Sequence, residues 1–351
     1  MMTSALARGQ DSRTGKKGME VGAKYRDPLC RFTPTPLTAD LRVMDRTVRL
    51  ETNSPTVLGQ TVRLFERYQA PPLSRAEFLW RIVGEDRSGL KPPWPEMTAF
   101  SDDALRYVNL GQQNFFAVDL EAREAVAFLS EDLAVDDLGF SSVFLATLFD
   151  LTAAALRLTQ ISAACVAMGG EAVLIFGPPG SGKTSSTYLA GKLGLEFHAD
   201  QVTFLELKPD GVHAWGQFWP AAFREDTSQF LPELASATRP FTYGTLTFQC
   251  FERHPFQRPE ARSVVPVCCA FLERRSGAAP RLGRLPSAEF DERLGRGLCF
   301  NEDERFEAQR TETLRALAEL PAYRLTYDEP RAAAEFFPSL LGVRPLPEVK
   351  P

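Results

Sequence analysis

The sequence predicts an α/β protein of the α+β kind, built from two units. Three observations predict it. The chain has 351 residues, long for one compact core. Its first half carries short runs rich in Phe, Val, Tyr and Leu, separated by polar turns. Its middle reads as an apolar strand, a glycine-rich loop and a helix in succession, over residues 172–193.

The elements follow in order. Residues 1–29 are polar, glycine-containing and mildly basic, which predicts a disordered tail with no secretory apolar core. Leu41 to Glu51 alternates as a strand pair would. Ser54 and Pro55 then supply an N-cap and a first-turn proline for a helix carrying Val57, Thr61, Leu64, Phe65 and Tyr68 on one face. "QAPPLSRAEF" is a proline-rich break. "ALRYVNLGQQNFFAVDLEAREAVAFL" reads as three strands with two turns, the second over Asp119 to Glu124. Residues 30–137 are therefore expected to form a small α+β domain.

From Gly139 the character changes. Ser141 to Leu158 is expected to be one long buried helix. Asp150 and Arg157 interrupt the surrounding apolar region, so no uncharged run reaches the roughly 18 residues that a membrane span needs. Strands are expected over Ala164–Met168 and Ala172–Phe176, then a helix over Thr184–Leu193. "GLEFHADQVTFLEL" reads as one further strand, and "VHAWGQFW" pairs back on it after the "KPDG" turn. "SVVPVCCAFLERR" and "AYRLTY" read as strands. "EFDERLGRGLCF", capped near Gly297, and "NEDERFEAQRTETLRALAEL" read as helices. "EPRAAAEFFPSLLG" reads as a closing helix that Pro338 kinks or shortens. The second unit spans 138–345.

Composition narrows function. The formal net charge is −5, which argues against broad binding of nucleic-acid phosphates. The six cysteines are Cys30, Cys165, Cys250, Cys268, Cys269 and Cys299. None forms a C-x-x-C pair, and there are three histidines, so a structural zinc site is not expected. Apolar contexts such as "SVVPVCCAFL" read as reduced thiols in a cytoplasmic protein.

The chemistry sits in the loop. Gly177-Pro178-Pro179-Gly180-Ser181-Gly182-Lys183-Thr184 fits G-x-x-x-x-G-K-[ST], between an apolar strand and a helix. Its glycines let successive backbone N–H groups turn inward as an anion nest, and the helix N-terminus adds its positive dipole end. Lys183 brings a charge to the β- and γ-phosphates, Thr184 offers a hydroxyl to Mg²⁺, and Ser185 follows in the same cradle. The loop predicts a bound nucleotide without naming the reaction.

Asp200 closes the first strand after the loop helix, seventeen residues past Lys183. That short spacing, within "ACVAMGGEAVLIFGPPGSGKTSSTYLAGKLGLEFHADQVTFLEL", resembles the C-terminal catalytic domain of HPr kinase/phosphorylase and its relatives. The resemblance covers roughly residues 139–345 in layout. It implies a phosphate-loop domain with a mixed sheet, related to phosphoenolpyruvate carboxykinase. It also implies ATP and Mg²⁺ as cofactors, with Asp200 and Lys183 as catalytic residues and Thr184 and Asp200 as metal ligands. The acceptor would be a hydroxyl of a protein, peptide or small molecule, and a homo-oligomer is implied by analogy.

This chain departs from the family pattern at three places. Pro179 stands where the family has Ser, Ser162-Ala163-Ala164 where it has a His, and Gln201 where it has a second Asp. Gln cannot take a proton at neutral pH. A kinase and a non-catalytic nucleotide-binding module that gates a partner therefore both stay open. A carboxykinase shares the fold, yet no metal-binding His set is visible.

Four further groups carry weaker expectations. His198, two residues from Asp200, would share its face on a regular strand and orient it or approach a phosphate. Arg224, Glu225 and Asp226 form a polar loop that reads as solvated, or as a second metal ligand or a phosphate clamp. Trp215, Phe218 and Trp219 read as packing, and Arg274-Arg275 as a solvated strand end.

Overall fold

The computed structural model describes residues 33–68, 75–86, 89–111, 113–225, 227, 230–296 and 303–342. The expected tail over 1–29, most of the proline-rich break, Cys30, Asp226, Gly297 and Cys299 lie outside the described residues.

The first half opens on the hairpin β1 (Leu37–Val43) and β2 (Arg46–Thr52), turned by Met44 and Asp45 in left-handed backbone. Helix α1 (Pro55–Phe65) follows, and Ser54 Oγ accepts from Val57 N at 3.2 Å. Val57, Thr61 and Phe65 are its buried residues. Then come β3 (Phe78–Glu85), β4 (Met97–Asp102), β5 (Leu105–Leu110), β6 (Asn114–Asp119) and β7 (Glu124–Ser130). They form one seven-stranded sheet, ordered β1-β2-β3-β7-β6-β5-β4. Its β2–β3 and β3–β7 steps are parallel and the rest antiparallel. β3 and β4 are additions to the sequence reading. β4 is an edge strand exposed along nearly its whole length, so it has no apolar alternation to read.

The long helix expected over Ser141–Leu158 is interrupted. After α2 (Glu131–Val135), a π-helical segment covers Gly139–Leu145, α3 covers Ala146–Thr152, and turns fill the rest. The hydroxyls of Ser141 and Thr147 each donate 2.6 Å bonds to carbonyls four residues back, Asp137 and Val143, which loosens the ladder. Arg157 enters the left-handed region at φ 61°, and Leu158 N reaches back to Ala153 O, closing the segment.

The second half carries β8 (Thr159–Ile161), β9 (Ala164–Met168), β10 (Glu171–Phe176), α4 (Lys183–Lys192), β11 (Glu196–Ala199), β12 (Thr203–Lys208), β13 (Gly211–Trp215) and β14 (Ala222–Arg224). It continues with α5 (Leu234–Ala237), β15 (Arg239–Tyr243), β16 (Leu246–Cys250), β17 (Val265–Arg274), β18 (Arg281–Arg284), α6 (Ser287–Arg296) and α7 (Glu307–Ala318). It closes with β19 (Ala322–Tyr327), α8 (Pro330–Ala334) and α9 (Phe337–Leu340). The closing helix is thus split ahead of Pro338.

A six-stranded mixed sheet, β11-β9-β10-β17-β19-β18, forms the centre. β10 lies antiparallel to β9 and parallel to β17. A strand buried on both faces reads as a continuous apolar run, and "AVLIF" is one. Val173 and Ile175 face α4, α8 and α9 through Ala190, Ala333 and Phe337. Leu174 and Phe176 face α6 and α7 through Phe290 and Leu317. Two three-stranded sheets, β13-β12-β8 and β14-β16-β15, flank this layer.

One core cluster joins the halves. Trp80 meets Phe149 edge-on at 6.3 Å, and Phe149 meets Phe204 at 5.0 Å. Trp215, Phe218 and Trp219 are buried in the same cluster, so their packing role holds. At its margin the Arg46 guanidinium donates to Glu206 at 2.6 Å, and Trp215 Nε1 donates to the other Glu206 oxygen at 3.1 Å. The architecture is mixed α/β, with two mixed sheets and two small antiparallel ones. Among the described residues no helix is long and apolar enough to cross a membrane.

Candidate functional site

The glycine loop hangs from the end of β10. Pro178, Pro179 and Gly180 form its exposed tip, and Ser181 folds back into the interior. Gly180 and Gly182 sit at φ +81° and +89°, which a side chain would strain. The turn closes through Ser181 N donating to Pro178 O at 3.1 Å, and the helix starts with Ser186 N to Gly182 O at 2.8 Å. α4 begins at Lys183 without a side-chain cap, so its first N–H groups face the loop. Lys183 Nζ donates to Gly177 O at 2.6 Å and Pro178 O at 3.3 Å. The ammonium is thus folded back onto the loop's own carbonyls. Thr184 and Ser185 follow, both half-buried.

The expected single strand "GLEFHADQVTFLEL" is two strands in different sheets. The backbone leaves the β9 ladder at Asp200. Gln217 Oε1 accepts from Asp200 N at 3.2 Å and Gln201 N at 3.3 Å, drawing the turn away from β9. Thr203 Oγ1 then ties the start of β12 to Ala163 O at 2.8 Å. Gly216 lets this happen: a Cβ there would stand 2.2 Å from the His198 carbonyl oxygen.

The turn places Asp200 in the interior beside the loop helix. Its carboxylate is fully buried, and burial pushes its pKa up to about 6. The Gln217 side chain, the Ala222 backbone N–H and the Thr184 hydroxyl face it and pull the other way. The backbone of Asp200 itself adds to that pull, yet neither carboxylate oxygen has a hydrogen-bond partner of good geometry. The Asp200 charge also contributes to raising the Cys250 thiol to about 12, after burial. A lone carboxylate next to a hydroxyl is a sparse oxygen set. Mg²⁺ accepts such a set, since it keeps several waters and takes phosphate oxygens as its other ligands. A cage of three or more His, Cys, Asp or Glu is absent among the described residues.

The other candidates separate from this pair. A bulge between Phe197 and Ala199 breaks the strand alternation, so His198 does not join Asp200. Its Nε2 lies 3.8 Å from Glu196 Oε2, and burial lowers its pKa. Glu196 is in turn held down to about 2 against its own burial by His198, Arg258 and Arg262. Arg224 and Glu225 are exposed at the end of β14. Arg274 donates to Asp328 O at 2.7 Å and Arg275 pairs with Glu273 at 3.0 Å, as a strand end does.

Sequence reasoning missed Gln217, Tyr327 and Pro330. The Tyr327 hydroxyl donates to the Ser181 carbonyl from beneath the loop, and the Ser186 hydroxyl donates to Pro330 O at 3.4 Å. None of them lies in a motif, and only the sheet order brings them to the loop. No protein-family model and no curated protein matches the chain.

Proposed function

We propose that this chain is an ATP-binding phosphotransferase of the HPr-kinase-like type. Its acceptor would be a hydroxyl on a protein, a peptide or a small molecule. One observation carries the reading: a buried carboxylate with two unpartnered oxygens faces the hydroxyl of the last residue in a phosphate-loop pattern. An ionised group kept out of water without a partner is costly, and a cation beside it removes that cost. The fold is read as the HPr kinase/phosphoenolpyruvate carboxykinase variant of the phosphate-loop domain. The short Lys183–Asp200 spacing and the antiparallel β9 beside β10 support it. A cytoplasmic location and a homo-oligomer belong to the same reading.

The residues divide the work as follows. Backbone N–H groups of Gly177, Gly180, Gly182, Lys183, Thr184 and Ser185 cradle the phosphate chain, while Pro178 and Pro179, which have no N–H, shape the loop's tip, and Ser181 closes its turn. Lys183 exchanges the loop carbonyls for phosphate oxygens and concentrates positive charge where negative charge builds. Thr184 and Asp200 would hold Mg²⁺, which would neutralise the negative charge of the phosphates. Asp200 would be held ionised by that cation, and as general base it would take up the acceptor hydroxyl's proton as the new O–P bond forms.

A second reading rests on Gln201. Where the family has a second carboxylate, this half-buried residue has its N–H bound to Gln217 and no proton-accepting side chain. Nucleotide binding without turnover, gating a partner, fits that arrangement. Titration with Mg²⁺·ATP and a transfer assay over candidate acceptors separate the two. Wild type is compared with Lys183→Ala and Asp200→Asn. Binding with transfer supports the kinase. Binding without transfer or hydrolysis selects the gating module, and no binding overturns both.

A further inference from the structure

We infer that Tyr327 is a positioning residue that aims the phosphate loop from below. The inference rests on the phosphate-loop reading and deepens it. Tyr327 is the last residue of β19, fully buried, and paired in register with Arg274 of β17. It is therefore set two strands away from the loop-bearing β10. Its hydroxyl donates to the Ser181 carbonyl oxygen.

The consequence follows from peptide geometry. The Ser181 carbonyl and the Gly182 N–H belong to one planar trans peptide, so they point in opposite directions. Holding the carbonyl toward the core turns the Gly182 N–H outward, to the side where the loop's donors converge. Nothing in the loop's own sequence decides this. The Ser181–Gly182 peptide turns about ψ of Ser181 and φ of Gly182, and glycine at 182 widens the orientations open to it. The floor also limits what stands at 182. A Cβ there would lie 3.1 Å from the Tyr327 hydroxyl and 3.3 Å from Pro330 Cγ.

The hydroxyl is thus a fixed point between a rigid strand end and a permissive loop. Without it, the Gly182 donor would have to be ordered by the ligand itself, and affinity would fall by that ordering. The loss falls on the phosphates and not on the base or ribose.

The test uses the full chain, with tripolyphosphate and ATP as probes measured by calorimetry. Tyr327→Phe keeps the ring in the core and removes the hydroxyl. Both affinities are expected to fall by the same factor, roughly fivefold, the size of one lost hydrogen bond. In glycine-labelled wild-type protein the Gly182 amide resonance is expected to move on adding tripolyphosphate. That second readout does not depend on the variant folding. Wild-type binding with an unchanged variant, or with a stationary Gly182 resonance, overturns the inference and leaves the nucleotide reading intact. Equal weakening of both probes with a moving resonance supports it. Absence of any wild-type binding overturns both.

Discussion

The two halves of the candidate site are built on opposite principles. The glycine loop is an exposed, backbone-made feature: Pro178, Pro179 and Gly180 stand in solvent, and its donors come from the chain itself. The Asp200 turn is a buried, side-chain-made feature, held by Gln217 from seventeen residues away. The loop's shape costs little, because glycine adopts positive φ without strain. The carboxylate's position is unfavourable, because burial raises its pKa more than the surrounding donors lower it. Local features are robust and generic. Buried, unpaired ones are costly and specific, and strain of that kind gathers at functional sites.

The largest expected effect tests the exposed half. Lys183→Ala should weaken Mg²⁺·ATP binding or turnover by about a hundredfold or more while the melting temperature barely moves. Unfolding in place of lost affinity would break the comparison.

Asp200→Asn should invert that pattern. The folded-state pKa of about 6 lies above the ordinary aspartate value of 3.8. The group therefore contributes no penalty below pH 4. Its penalty grows as pH rises from 4 to 6 and is complete above that. Without nucleotide, the variant should gain about 3 kcal/mol over wild type at pH 7.5 and almost nothing at pH 4. With Mg²⁺·ATP the order should reverse. Thermal denaturation at both pH values, with and without ligand, checks it.

Gln217→Ala probes the connection between the halves. Asp200 N and Gln201 N would lose their acceptor, at about 1–3 kcal/mol, and Mg²⁺ dependence should weaken together with stability. Urea denaturation and a Mg²⁺ titration of ATP binding measure the two. Ser54→Ala is the control, distant from both halves. It removes the α1 cap at about 1 kcal/mol and should leave nucleotide affinity unchanged. A change in affinity there would mean that overall stability, not the site, governs binding.

How far the sequence reached depended on where the information lay. The α1 cap, the β1–β2 pair, the β5–β6–β7 meander and the loop with its flanking strand and helix are legible, because each is written in one continuous stretch of sequence. The single helix that the apolar run over 141–158 predicts is broken into a π-helical segment, α3 and turns. Hydropathy shows that it is buried, but not that Ser141 and Thr147 bond their own backbone or that Arg157 turns left-handed. The strand through Asp200 was read as continuous because no local pattern marks Gln217 as the acceptor that breaks it. His198 and Asp200 were placed on one face by a regular period of two, which the bulge at 197–199 abolishes.

By itself the sequence determined the loop, its lysine and hydroxyl, and the presence of one acid seventeen residues on. These are properties of adjacent residues and of glycine's freedom. Only the tertiary structure decided that Asp200 faces Thr184 with its oxygens unpartnered, that His198 turns away, and that Tyr327 holds the loop from beneath. Those depend on which strands become neighbours across the sheet. Side-chain burial and hydrogen bonding between distant segments are settled by that order, and no local pattern encodes it.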